Sequence, residues 1–104
     1  MTDQEIRIAV AEELGWINTP DGWYDSINRR TFPWIGNHNL PDYSHDLNAC
    51  REMEMTLVLI EDLNYEAELS LIARRDYVFI WGTTARQRCE AFLRVRGKWR
   101  EGKT

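Results

Sequence analysis

The stretch Leu40 to Leu57, LPDYSHDLNACREMEMTL, constrains the fold most, because it holds a stop, a start and a long amphipathic run. Pro41 fixes its own φ and moves Leu40 out of the helical region, so the chain entering it is expected to be extended. Asp42 and Ser44 both suit an N-cap, since their side-chain oxygens can accept unpaired backbone N–H groups. Beyond them Leu47, Cys50, Met53, Leu57 and Ile60 recur at three- and four-residue steps, one face of a helix. His45, Asp46, Arg51, Glu52 and Glu54 take much of the other side. This central helix needs a core to lie on, and 104 residues are enough for one domain, 1–104, with a single modest core. Residues 100–104 read as a flexible tail.

The flanking elements follow from caps and periodicity. Thr2-Asp3-Gln4-Glu5 fits a capping box, and Ile6, Ala9, Val10 and Leu14 trace a first helix over Asp3 to Leu14, with Gly15 just past its end. Trp16 and Ile17 are expected to fold back over its last turn. Pro20-Asp21-Gly22 signals a turn, and Trp23-Tyr24 with Thr31-Phe32 favour a hairpin of Gly22–Ser26 and Arg30–Trp34. Gly36 to Asn39 reads as a polar loop. From Glu61 to Ala73 the alternation Leu63, Tyr65, Ala67, Leu69, Leu71 fits a strand, whereas the helix-forming composition and the four-residue step Leu63, Ala67, Leu71 fit a helix. Composition favours the helix, which Asp62 could cap. Tyr77-Val78-Phe79-Ile80-Trp81 reads as a strand buried on both faces. Thr84 to Gln87 makes a second capping box, opening a last helix with Ala85, Cys89, Phe92, Leu93 and Val95 inward and Gly97 at its end. The expected fold is α/β of the α+β kind: about three mostly antiparallel strands and about four helices, in the order α-β-β-α-α-β-α.

Composition narrows the functional classes. With 43% hydrophobic and 29% charged residues the chain is expected to be globular. A net charge of −4 disfavours non-specific duplex binding and gives no basis for sequence-specific nucleic acid recognition. The apolar runs are short and the N-terminus is acidic, so neither a membrane span nor a secretory signal is expected. Cys50 and Cys89, both on apolar helical faces, read as a reduced, buried pair of a cytoplasmic protein rather than a disulfide.

Several stretches resemble the phage ABA sandwich domain, a family of small bacteriophage proteins. They are Leu40-Pro41-Asp42-Tyr43, Asp46-Leu47-Asn48-Ala49, and Thr84 to Leu93 with Gly97-Lys98-Trp99; Leu14-Gly15-Trp16 is similar too. The resemblance implies a layered α/β domain encoded by a phage or prophage, with a helix over Glu61–Ala73; the location then expected is the host cytoplasm. It implies no activity.

Two sets of residues suit ligand binding. At the start of the last helix, Thr83 and Thr84 offer hydroxyls beside unpaired N–H groups, and Arg86 and Arg88 add charge. Cations are unfavourable at this end of a helix unless an anion lies close by, which is the local oddity of the sequence. The plainer reading pairs them with Glu90 or with a carboxylate on another helix. The second set is Trp34, His38, Asp42, Tyr43, His45 and Asn48: Trp34 and Tyr43 could sandwich a planar base while Asp42 and Asn48 read its edges. The plainer reading makes the aromatic rings core cover and Asp42 a cap. His38, Asp42, His45 and Asp46 lack the spacing of a zinc site, so no metal is expected. His45 and Cys50 lie about 140° apart on a helix and cannot act together. Neither a catalytic residue nor a cofactor is expected. The reading is a phage-encoded, non-enzymatic binding protein that counters host defence by sequestering a small anionic, nucleotide-like molecule, with a homo-oligomer enclosing the ligand. The alternatives are an inhibitor of a host defence protein and, behind it, a nucleotide-processing enzyme.

Overall fold

The computed structural model describes residues 1–20, 22–25, 30–33 and 40–100, with the backbone alone for residues 22, 25 and 30–33. Helix α1 is Asp3–Glu13. The Glu5 N–H donates to Thr2 Oγ1 at 3.1 Å while Glu5 Oε1 accepts from the Thr2 N–H at 2.8 Å, so the expected capping box forms. Gly15 takes a φ of 93°, which glycine adopts without Cβ strain, and turns the chain out of the helix.

It turns into an antiparallel sheet in the order β1-β2-β3, made of Trp16–Thr19, Gly22–Asp25 and Arg30–Pro33. Ile17 pairs with Tyr24 and Trp23 with Phe32. The second and third strands are the expected hairpin; its ends Ser26 and Trp34, with the Gly36–Asn39 loop, lie outside the described residues. The first strand was not expected. Alternation along it buries Trp16 and leaves Ile17 exposed, so only Trp16 packs inward.

The central helix is shorter than expected. Helix α2 is Leu47–Glu54, capped by Asp46, whose Oδ1 accepts from the Asn48 N–H at 2.9 Å; neither Asp42 nor Ser44 is the cap. Its buried face is Ala49, Cys50 and Met53, whereas Leu47 is half exposed. The chain breaks at Met55–Val58, and Ile60 belongs to the next helix, α3, Leu59–Arg75. The helical option for Glu61–Ala73 is therefore the observed one, and its start lies before Asp62: the Glu61 carboxylate accepts from the Val58 N–H at 3.3 Å.

The expected strand Tyr77–Trp81 is absent. Helix α3 runs on to Arg75 and ends in a tight turn, where the Val78 N–H donates to Ala73 O at 2.9 Å and Tyr77 stands at φ 58°. A 3₁₀ turn, Ile80–Gly82, follows. Tyr77 is 95% exposed and Trp81 75% exposed, the reverse of double-sided burial. Its apolar run suggested burial, but among the described residues no strand pairs with this segment. Among the described residues the order is α-β-β-β-α-α-α.

Helix α4, Ala85–Val95, is the hub, packing against α1, α2 and α3. It opens with the second capping box, Thr84 with Gln87, and Gly97 leaves it at φ 70°. The largest fully buried side chains are Tyr43, Phe92, Ile6, Met53 and Leu93. Trp16 Nε1 donates to Tyr43 Oη at 3.1 Å, tying the sheet to the helical layer. The Cys50 and Cys89 thiols both donate to Tyr43 O, at 3.1 and 3.0 Å, and remain free with their sulfurs 4.0 Å apart. Hydrogen bonding to Cys50, together with burial, pushes the Cys89 thiol far above its ordinary pKa. Among the described residues no helix is long and apolar enough to cross a membrane.

Candidate functional site

Both arginines at the start of α4 are answered by carboxylates on other helices. Arg86 Nε lies 3.0 Å from Asp3 Oδ1 and its NH2 donates to Met1 O at 2.7 Å. Arg88 NH1 lies 3.2 Å from Glu54 Oε2, and both side chains are largely buried. Glu90 serves different partners: it accepts from Arg75 at 2.8 and 3.1 Å and from Arg94 at 2.9 Å. Burial opposes its ionisation, yet these guanidinium bonds outweigh burial and hold the carboxyl below its usual pKa. Arg75 also grips Asp76, whose pKa falls to about 2 through the hydrogen bonds from Arg75 and Gln87. The hydroxyls are equally committed. Thr83 is buried and donates to Ile80 O at 2.8 Å, and Thr84 Oγ1 accepts from the Gln87 N–H at 3.2 Å.

The second set is only partly assembled. Tyr43 is fully buried and cannot stack on a ligand. Trp34 and His38 lie outside the described residues. Asn48 is exposed on the first turn of α2. Asp42 and His45 meet at 3.1 Å, with Ser44 Oγ donating to the same Asp42 oxygen at 3.2 Å. The other ring nitrogen, Nε2, lies 3.1 Å from Asp3 Oδ2. Asp3 therefore joins the two sets into one exposed chain, Arg86–Asp3–His45–Asp42. The hydrogen bond and charge of Asp42, aided by Asp3, raise the His45 pKa above 6.5. Burial opposes ionisation of Asp42, but the bonds from His45 and Ser44 prevail and its pKa is lowered. Sequence reasoning missed Asp3 because the partners are far apart in the chain, though an acid in the first turn of α1 was a readable signal. Among the described residues no group of three or more His, Cys, Asp or Glu is placed to hold a metal ion.

A different feature stands beside Arg88. A groove of about 310 Å³ is lined by Glu54, Asp62, Tyr65, Glu66, Leu69, Ile80, Trp81 and Arg88. Glu54 accepts from the Tyr65 hydroxyl as well as from Arg88. Burial, reinforced by the Glu54 carboxylate, keeps that phenol protonated far above its ordinary range. Three carboxylates face one guanidinium, so the field in the groove favours a cation over an anion. Trp81 lines the groove, and Phe79, outside the lining, stacks on it with centroids 4.6 Å apart and planes 3° from parallel. Tyr65 was read within the alternation of Glu61–Ala73 and Trp81 within a buried strand, so neither marked a groove in the sequence. No protein family, no characterised protein and no solved structure was found to match the chain.

Proposed function

We propose that this is a non-enzymatic binding protein whose target is another protein, gripped at the turn Tyr77–Trp81 and its acidic groove. The observation that carries this reading is the solvent exposure of Tyr77, Phe79 and Trp81, the last of which lines a groove with Glu54, Asp62 and Glu66. Large exposed aromatic rings are the residue type that anchors protein interfaces. An aromatic wall over carboxylates suits a basic side chain, held by charge from below and by the ring face from the side. The expected partner surface is therefore apolar with a protruding arginine or lysine. The resemblance to small phage proteins favours a host defence protein as that partner. A nucleotide-like anion has less support, since it would have to displace Asp3 from Arg86 or Glu54 from Arg88.

The test is equilibrium binding of short apolar peptides carrying arginine or lysine, against copies with glutamate in their place. Wild type is expected to prefer the basic peptides, and Trp81→Ala or Glu66→Gln to weaken that binding by about tenfold. Equal binding of both charge types, or no effect of Trp81→Ala, overturns the reading. Intact cyclic nucleotide recovered after incubation and heat release, and lost in Arg86→Ala, would replace it with sequestration.

A further inference from the structure

Helix α3 is apolar on two opposite faces. Tyr65, Leu69, Ile72 and Ala73 form the face buried against the core. Leu59, Ile60, Leu63, Ala67 and Leu71 form a second stripe, which at 3.6 residues per turn lies about 180° from the first. This outer stripe faces solvent: Leu59 is 76% exposed, Ile60 72%, Leu63 61% and Leu71 58%. With Val58 it presents roughly 600 Å² of apolar side chain along one helix, at the top of the range for the largest such patch on a monomer. Flanking polar residues bring the face to the order of the ~800 Å² that each partner buries in a stable dimer.

We infer that this face is the seam of a two-fold dimer, in which α3 of a second copy packs antiparallel on the first. The steps between Ile60, Leu63, Ala67 and Leu71 are three and four residues, the spacing with which helices interlock. The smallest of these side chains, Ala67, is also the ninth of the 17 residues of α3. A two-fold axis beside Ala67 lets the backbones approach at the crossing and sets Leu63 against Leu71 of the partner subunit. Charge selects the direction. The helix carries Asp62, Glu66 and Glu68 towards its start and Arg74 at its end, while Glu61 is held by Arg96 and Arg75 by Asp76 and Glu90 within the chain. Antiparallel packing lays the basic end over the acidic start, whereas parallel packing opposes like charges along the whole length.

Sedimentation equilibrium and cysteine cross-linking of the full chain test this. Wild type is expected to double its 12.3 kDa mass at micromolar concentration, and Leu63→Glu to remain a monomer with unchanged circular dichroism. Ala67→Cys is expected to oxidise to a disulfide-linked dimer, because the native thiols are buried. Leu59→Cys is not, because its two copies would stand about 24 Å apart, far beyond disulfide reach. A wild-type monomer, a dimer untouched by Leu63→Glu, or ready cross-linking through Leu59→Cys overturns the inference. Trp81→Ala is expected to lose peptide binding while keeping the dimeric mass, so failure of the peptide site is distinguishable from failure of the seam.

Discussion

His45 stands between two carboxylates, so protonating its ring adds attraction on both nitrogens. Its folded pKa is raised, and the sign follows: the stabilising contribution is complete below the unfolded value of 6.5 and fades as pH rises through the higher folded value. Proton NMR of the ring should titrate above 6.5, and Asp42→Asn should bring the midpoint down; a wild-type midpoint at or below 6.5 would contradict the geometry in which Asp42 and Asp3 flank the ring. Glu90 is the opposite case, a carboxylate only 3% exposed that holds two guanidinium groups. Removing it in Glu90→Ala should cost about 2–3 kcal/mol in denaturant unfolding, at the low end for a broken buried pair because Arg75 is half exposed. A change within experimental error would mean that Arg75 and Arg94 are satisfied by water.

Helix α3 shows what periodicity can and cannot say. The four-residue step Leu63, Ala67, Leu71 correctly suggested a helix, yet those residues point to solvent, and Tyr65, Leu69 and Ile72 are the ones in the core. Two apolar stripes on one helix look alike until a neighbour is in place, and only the packing of α4 distinguishes them. The same ambiguity lengthened α2 in the sequence reading, because Leu57 and Ile60 continue its apolar spacing across a real break at Met55–Val58. Caps were mixed: the Thr2–Glu5 and Thr84–Gln87 boxes and the positive-φ glycines 15 and 97 depend on residues close in sequence and form as expected, whereas Asp46 and Val58 take the cap positions expected of Asp42 or Ser44 and of Asp62. Substituting asparagine on each face separates the two stripes. Leu69→Asn should lower stability by about 3 kcal/mol, and Leu63→Asn by less than about 0.5 kcal/mol in dilute solution. Equal losses would place both faces in the core.

At the scale of the molecule the site was the least legible part, because it depends on pairings between distant segments. Arg86 meets an acid 83 residues away and Arg88 one 34 residues away, and nothing local announces either partner. The oddity of two cations at a helix start was correctly seen, and its resolution is internal charge pairing. The misread pentapeptide has a similar lesson: Tyr77–Trp81 is apolar enough to be buried, and in the isolated chain it is exposed, which is the ground for the proposed partner surface. Hydroxyl-radical footprinting of the free protein tests this most directly, since aromatic side chains oxidise in proportion to their exposure. Tyr77, Phe79 and Trp81 are expected to be modified rapidly while Trp16, Tyr43 and Phe92 stay protected; protection of Tyr77 through Trp81 to the level of Tyr43 would contradict an outward-facing binding surface.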